Sequence, residues 1–279
     1  MMFASDLDRT LIFSNKALAD YPSKDPLDMI PIERKLGEPI SYMTRRSYDL
    51  LQDISKKILF VPVTTRTLSQ YNRIAFDRMN IMYAVTSNGA NILYQGQPLM
   101  EWSNRIRREL LESAFQREEL ISMIKQRAQG IKGELRAVED LFFYYYLDES
   151  ISSELFNEIE AFIDGKNWKV SLQGRKLYFM PAAISKGKAI AYIREREEKS
   201  TLIGAGDSLF DDDFLQISTF PFVPGHGELA HSHTLQKRYV VTENKGAKGG
   251  EELLESILQL ITKNDSASDY SLSHLLNNK

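Results

Sequence analysis

The sequence contains no cysteine. Thiol catalysis, cysteine-ligated metals and a disulfide framework are therefore excluded, although this absence fixes no compartment. Charge imbalance is small: 35 Lys and Arg stand against 38 Asp and Glu, a net charge of −3, without the basic face of a nucleic-acid binder. No apolar run approaches the ~20 residues of a membrane helix. The amino terminus enters a strand-like run directly, without the basic flank and long apolar stretch of a signal peptide. Neither Gly-x-Gly-x-x-Gly nor a Walker lysine loop stands at the early strand ends, which argues against dinucleotide binding. What remains is a chain of 279 residues, 43% hydrophobic and 26% charged, an ordinary globular composition with room for one large or two modest domains. The expectation is a cytoplasmic protein, monomer or homodimer, with neither nucleic acid nor membrane as partner.

The chain is organised around Phe3-Ala4-Ser5-Asp6-Leu7-Asp8-Arg9-Thr10. On a strand, side chains alternate, so Asp6 and Asp8 point one way and Leu7 into the core. Two carboxylates this close repel unless a cation sits between them. Mg²⁺, a hard cation that prefers oxygen, suits such a pair. A solvated acidic turn after a first strand is the plainer reading.

Further along, residues 11–40, with Pro22, Pro26, Pro31 and Pro39, read as a long loop carrying a small hairpin over 32–40. Ser41 is the expected N-cap of a helix with Leu50, Leu51, Ile54 and Ile58 at helical spacing. A buried strand over 58–63 ends in Thr64-Thr65-Arg66-Thr67. Leu68, Tyr71, Ala75 and Met79 predict the next helix, and a strand over 83–86 ends in Ser87-Asn88-Gly89-Ala90. This order implies a Rossmann-like parallel sheet with right-handed crossovers, an α/β fold whose ligands sit beyond the strands' carboxyl ends.

At residue 90 the pattern changes. A hairpin over 91–99, one long helix over 101–129, strands over 134–138 and 141–147, a helix over 152–163 and strands over 168–172 and 176–180 read as an inserted α+β module. Its aromatic run, Phe142-Phe143-Tyr144-Tyr145-Tyr146, is read chiefly as packing within that module, with a ligand-closing surface as the alternative. The parallel pattern resumes after Pro181: a helix beginning at Lys186, a strand over 200–205 ending in Gly206-Asp207-Ser208-Leu209-Phe210-Asp211, two short strands and an amphipathic helix through Ile261. Residues 264–279 form a polar, frayed tail.

Asp6, Asp8, Thr10, Thr64, Asn88, Lys186, Asp207 and Asp211 thus all fall at strand ends or helix starts. Each has a plainer reading: Thr64 as a helix cap, Lys186 as a surface lysine, Asp211 to Asp213 as a helix amino-terminal acidic cluster, Arg66 as a solvated helix-start residue. His231-Ser232-His233 lacks a third ligand and reads as a polar loop. His226, between two glycines after a core strand, is a candidate for the border of the site.

In order and context, Asp6-Leu7-Asp8-Arg9-Thr10, Thr64, Lys186-Gly187 and Gly206-Asp207-x-x-x-Asp211 match the four motifs of the haloacid dehalogenase superfamily of phosphatases. The insertion between the second and third motifs resembles that of members with an α+β type-two cap. With Asn88-Gly89 before it, the chain resembles the branch containing sucrose-phosphate and mannosyl-phosphoglycerate phosphatases. Two departures from the family pattern, Arg9 where glycine is usual and Phe210 where asparagine is common, bear on specificity.

The resemblance implies a core over 1–89 and 182–263, a cap over 90–181 and a tail over 264–279. It implies hydrolysis of a small phosphorylated metabolite, a sugar phosphate first among them, with Asp6 as nucleophile and Asp8 as acid and base. Thr64 and Lys186 would hold the phosphoryl group. Mg²⁺ would be held by Asp6, the Asp8 carbonyl, Asp207 and Asp211, and Arg9, Arg66, Asn88 and Gly89 are the substrate-contact candidates. Arg136, Lys169 and Arg175 in the cap are candidates for a second anionic group. A phosphotransferase or phosphomutase, or a catalytically silent metabolite binder, are the alternatives on the same scaffold.

Overall fold

Strand β1 (Met2–Asp6) has every residue buried. Met2 and Ala4 enter the apolar cluster on one face of the sheet and Phe3 the cluster on the other, so a strand covered on both faces is apolar throughout. The computed structural model describes residues 1–113, 115–127, 130–232 and 238–276.

After β1 come β2 (Phe13–Ser14), α1 (Asn15–Asp20), β3 (Met29–Lys35) and β4 (Glu38–Thr44), which form a three-stranded sheet in the order β2-β4-β3. The hairpin is longer than the one read over 32–40. Ser41 does not cap a helix; it lies within β4 and its hydroxyl donates to Glu33. The cap of α2 (Arg45–Lys57) is Thr44, whose Oγ1 accepts the Ser47 amide. Both residues are eligible caps, and pairing of Ser41 across the hairpin decides between them.

Next are β5 (Leu59–Val63), α3 (Leu68–Tyr71) and β6 (Tyr83–Thr86). The helix read over 68–79 lasts one turn, because Ile74 and Ala75 leave it to pair with the β3 backbone; the Ala75 amide donates to the Ile32 carbonyl at 2.7 Å. Strands β7 (Asn91–Tyr94) and β8 (Gln97–Pro98) extend the sheet antiparallel to β6. Residues 91–98, read from the sequence as part of the insertion, therefore belong to the large sheet.

The single helix read over 101–129 is two, α4 (Met100–Ser113) and α5 (Arg117–Arg127). Between them the Phe115 carbonyl accepts the Trp168 indole N–H at 2.7 Å, a tertiary bond that a continuous helix would forbid. Strands β9 (Gly133–Val138) and β10 (Phe142–Leu147), helix α6 (Ser153–Ile163), and strands β11 (Trp168–Gln173) and β12 (Lys176–Pro181) follow. The four strands make an antiparallel sheet in the order β11-β12-β10-β9.

The chain then returns through α7 (Lys186–Arg196), β13 (Leu202–Ala205), α8 (Asp212–Leu215), β14 (Phe220–Val223), β15 (Val240–Val241) and α9 (Gly246–Leu276). The large sheet runs β15-β14-β13-β1-β5-β6-β7-β8, parallel through β6. Helix α9 continues well past Ile261, with neither proline nor glycine after Gly250 to stop it; positions 277–279 lie outside the described residues. Among the described residues no helix is long and apolar enough to cross a membrane. The parallel sheet aims the ends of β1, β5, β6 and β13 at one rim.

Candidate active site

Asp6 closes β1 and is buried, while Asp8 lies two residues on in a turn knit to the Leu7 carbonyl by the amides of Thr10, Leu11 and Ile12. Thr10 Oγ1 donates to Asp6 Oδ2 at 3.3 Å. Arg9 takes a left-handed backbone conformation, φ 66°, one that a non-glycine residue adopts at a cost. Its guanidinium lies over the Tyr21 ring, donates to the Tyr21 hydroxyl at 3.1 Å and approaches Asp207 Oδ2 at 3.7 Å.

The ends of β5 and β6 are laced together. Asn88 N–H donates to the Thr64 carbonyl at 3.0 Å, and Ser87 N–H to the Arg66 carbonyl at 2.7 Å. Thr64 Oγ1 accepts the Arg66 amide at 3.1 Å. Arg66 forks onto Asp8, Nε and Nη2 each 2.7 Å from a carboxylate oxygen, while Nη1 donates to Glu33 at 2.8 Å. Asn88 Nδ2 reaches Met180 Sδ on β12, and its Oδ1 is buried with no hydrogen-bond partner among the described residues. Gly89, at φ +100°, lies so close to the Ser185 carbonyl that a Cβ would collide with it.

Lys186 is the first residue of α7, after the N-cap Ser185. A cation opposes the dipole at this end of a helix, and two carboxylates compensate: Nζ is 2.7 Å from Asp6 Oδ1 and 2.6 Å from Asp211 Oδ1. Asp211 Oδ2 accepts the Asp207 and Ser208 amides at 3.2 and 3.0 Å and the Ser208 hydroxyl at 2.9 Å. Both Asp211 oxygens are thus engaged in shaping the loop and holding the lysine.

Oxygens of Asp6, Asp207 and Asp211 all lie within 4.8 Å of one another. Burial pushes the Asp6 carboxyl up to about 7 against the pull of Lys186, with Asp211 and Asp8 adding to the push. Burial, then Asp6 and Asp211, raise Asp207 well above the carboxylate range. Burial pulls Lys186 down, but Asp211 and Asp6 outweigh it and hold the ammonium above its usual value. Three buried carboxylates facing one lysine leave an excess of negative charge on an all-oxygen donor set, which is the chemistry of a hard divalent cation. The residues present fit a metal ion.

Burial also lifts Glu33, yet hydrogen bonds from Ser41, Arg66 and Arg73 hold it below the usual carboxylate range. Burial depresses His226 to about 4.

Of the residues singled out from the sequence, Asp6, Thr10, Lys186, Asp207 and Asp211 meet in one cluster. Asp8 and Arg66 adjoin it, Arg9 borders Asp207, and Thr64, Asn88 and Gly89 line the neighbouring strand ends. His226 touches the back of this group through the Arg9 carbonyl. Arg136 pairs with Glu134, and Arg175 donates to the Leu147 carbonyl, so both are engaged within the four-stranded antiparallel sheet; Lys169 is exposed. His231 sits in a short 3-10 turn, and His233 lies outside the described residues. Within the aromatic run, Phe142, Phe143 and Tyr145 are buried. Tyr144 packs on Tyr178, which meets Phe210 of the Asp207 loop edge-on at 5.3 Å. The sequence reading missed Glu33, Tyr21 and this Tyr178–Phe210 contact. An acidic residue beside Ile32 in a hairpin was the only trace of the first.

The family model for sucrose-6F-phosphate phosphohydrolase matches residues 1–249. The sucrose-phosphatase of Synechocystis sp. PCC6803, solved in complex with sucrose and phosphate, is similar in structure. Its TM-score is 0.67 at 15% identity, over 95% of this chain and 98% of that one. SMU.1108c of Streptococcus mutans UA159 follows with TM-score 0.59 at 14% identity, over 92% and 98%. BT1666 of Bacteroides thetaiotaomicron, a haloalkanoate-superfamily phosphatase, gives 0.56 at 12%, over 94% of each chain. No curated protein sequence matches the chain. With the motif residues gathered on one rim and the family matched over most of its length, the chain belongs to the sucrose-6F-phosphate phosphohydrolase family and is a phosphatase of the haloacid dehalogenase type.

Proposed function

We propose that the protein hydrolyses a sugar phosphomonoester, with sucrose 6F-phosphate the first substrate to try, through an aspartyl-phosphate on Asp6. The observation that carries this reading is the ion pair of Asp6 with Lys186, backed by Asp207 and Asp211 within 4.8 Å. Asp6 Oδ attacks phosphorus, and the bond to the leaving oxygen breaks as that oxygen takes a proton from Asp8. Asp8, now ionised, removes a proton from the water that releases phosphate from Asp6. Lys186 neutralises the nucleophile and a phosphoryl oxygen together, and the Thr64 hydroxyl donates to another. Catalysis of this kind rests on positioning and charge neutralisation more than on new covalent chemistry.

Mg²⁺ would be held by Asp6, Asp207 and the Asp8 carbonyl, with Asp211 supporting from behind. When bound it would neutralise charge on the phosphoryl oxygens.

The segment 99–181 would act as the cap, on a core of 1–98 and 182–263, with α9 running on past the core. Arg9 and Asn88, whose Oδ1 has no hydrogen-bond partner among the described residues, would face the organic part of the substrate, beside Gly89. The sugar assignment is supported by the family and by the sucrose bound in the Synechocystis structure. Turnover of a panel of sugar phosphates, nucleotides and aryl phosphates, with and without EDTA, tests substrate and metal together. Asp6→Asn tests the nucleophile: kcat should fall by more than about 10³-fold with the fold intact, and a fully active variant ends the proposal.

A further inference from the structure

We infer that Glu33, on the β3–β4 hairpin, is a positioning residue for Asp8, acting through Arg66; this rests on the reading of Asp8 as the acid. The guanidinium is planar, and two of its nitrogens fork onto the two Asp8 oxygens at 2.7 Å. That fork alone leaves the plane free to swing about the Arg66 side chain. The third nitrogen is fixed at 2.8 Å to Glu33, so one rigid cation spans two carboxylates, a task a lysine cannot perform.

Glu33 is itself immobile. It is 2% exposed, and its oxygens accept from Ser41 at 2.7 Å and Arg73 at 2.9 Å as well as from Arg66. A carboxylate buried this deeply is tolerated only when its charge and lone pairs are matched.

The backbone shows why this residue points inward. Ile32 and Glu33 are consecutive and both buried, although a regular strand would turn them to opposite faces. The β3–β4 register shifts between Pro31 and Glu33 and again between Glu33 and Arg34. Such bulges re-aim a side chain and occur beside active sites. The residue is pinned further by its bridge to Ile74, the pairing that ends α3 after one turn.

With both Asp8 oxygens accepting from Arg66, Asp8 can act as the acid only once one oxygen leaves the fork and takes a proton from solvent. Glu33 keeps Arg66 on the other oxygen and so keeps the acid aimed, and its loss matters in proportion to how much the leaving group needs that proton. The test compares kcat/KM for phenyl phosphate and for 4-nitrophenyl phosphate, whose phenol is far more acidic. This ratio covers steps through phosphoryl transfer to Asp6 and leaves out the later release of phosphate. Against a general-acid contribution of roughly 10²–10⁴, Glu33→Gln should lower kcat/KM about tenfold on phenyl phosphate and no more than about threefold on 4-nitrophenyl phosphate. Arg66→Lys, which keeps the charge and loses the span, should show the same selectivity, and it replaces Glu33→Gln should that variant fail to fold. Equal losses on the two esters, or no loss in a folded variant, overturn the inference. Asp8→Asn is the control: if it is itself unselective, Asp8 is not the acid, and the inference falls with that reading for a separately visible reason.

Discussion

The imidazole of His226 braces the backbone of Arg9. Nε2 lies 2.8 Å from the Arg9 carbonyl, and Nδ1 lies 3.0 Å from the Gly246 amide at the start of α9. A carbonyl only accepts and an amide N–H only donates, so Nε2 carries the proton, Nδ1 is bare, and the ring is neutral. The ring also packs on Tyr21, centroids 4.7 Å apart, and Tyr21 carries the Arg9 guanidinium. One histidine thus holds the left-handed turn after β1 from both its backbone and its side-chain side.

This bracing predicts a pH dependence of stability. Burial lowers His226 from 6.5 to about 4. The unfolded chain therefore takes up a proton below about 6.5 that the folded chain refuses until about 4. The contribution is fully present above the unfolded value and is lost as pH falls through that window, on the order of 2–3 kcal/mol. Glutamine can donate and accept at the same two points without titrating. Urea unfolding of wild type and His226→Gln at pH 7 and pH 4.5 should give a larger drop for wild type; equal drops would refute the account.

Lys186 predicts a coupled loss of activity and stability. It is 1% exposed and bridges Asp6 and Asp211. Lys186→Met keeps the apolar stem and removes the charge, leaving two buried carboxylates unmatched. Breaking a buried pair in this way costs about 3–5 kcal/mol, and under the proposed mechanism the phosphoryl group would lose its lysine as well. Denaturant unfolding in EDTA should show the stability loss. Turnover should fall by more than about 10²-fold. An active, equally stable variant would remove Lys186 from the site.

What the sequence discloses and what it hides divide along physical lines. The ends of β1, β5, β6 and β13 are legible because a buried parallel strand is a continuous apolar run, and polar residues that close such runs share a rim. Asp6, Thr64, Asn88 and Asp207 are found in this way, and Lys186 by its place at a helix start within the motif set. Glu33 is not, since a bulge reverses the face that a period of two assigns to it. The short α3 and the break between α4 and α5 are hidden for another reason: helical spacing continues through both, and the residues that interrupt it, Ile74 with Glu33 and Phe115 with Trp168, are distant in sequence. The choice of Thr44 over Ser41 as cap is likewise made by the hairpin and by nothing local.

Metal binding should depend on pH with a definite sign. The raised Asp6 and Asp207 carboxyls favour their protonated forms in the metal-free fold. Their contribution is fully present below the unfolded value of 3.8 and is lost as pH rises through about 7 for Asp6. A divalent cation needs the ionised carboxylates and displaces those protons. Added Mg²⁺ should therefore raise Tm more at pH 8 than at pH 5.5, and at a hundred times Kd it supplies about 2.7 kcal/mol. Thermal unfolding in EDTA and in Mg²⁺ at both pH values checks this. An equal shift at both, or none, would count against a metal on these oxygens.

The edge-on contact of Tyr178 with Phe210, centroids 5.3 Å apart, joins the antiparallel sheet to the loop that carries Asp207 and Asp211. Phe210 lies within the 3-10 turn Leu209–Asp211 that Asp211 and Ser208 hold, so its ring is set by the same loop that sets the carboxylates. Tyr178 in turn packs on Tyr144 at 5.2 Å. Aromatic pairs of this geometry contribute about 0.5–1.5 kcal/mol beyond their buried area. If the contact seats the four-stranded antiparallel sheet over the site, removing either ring should raise KM for a substrate that fills the space between them and change kcat less. The double variant should cost no more than the worse single one. Kinetics of Tyr178→Ala, Phe210→Ala and the pair, on the best substrate from the phosphate panel, measure that coupling. Simple additivity would mean that the two rings act separately, and that the contact is packing without a part in substrate capture.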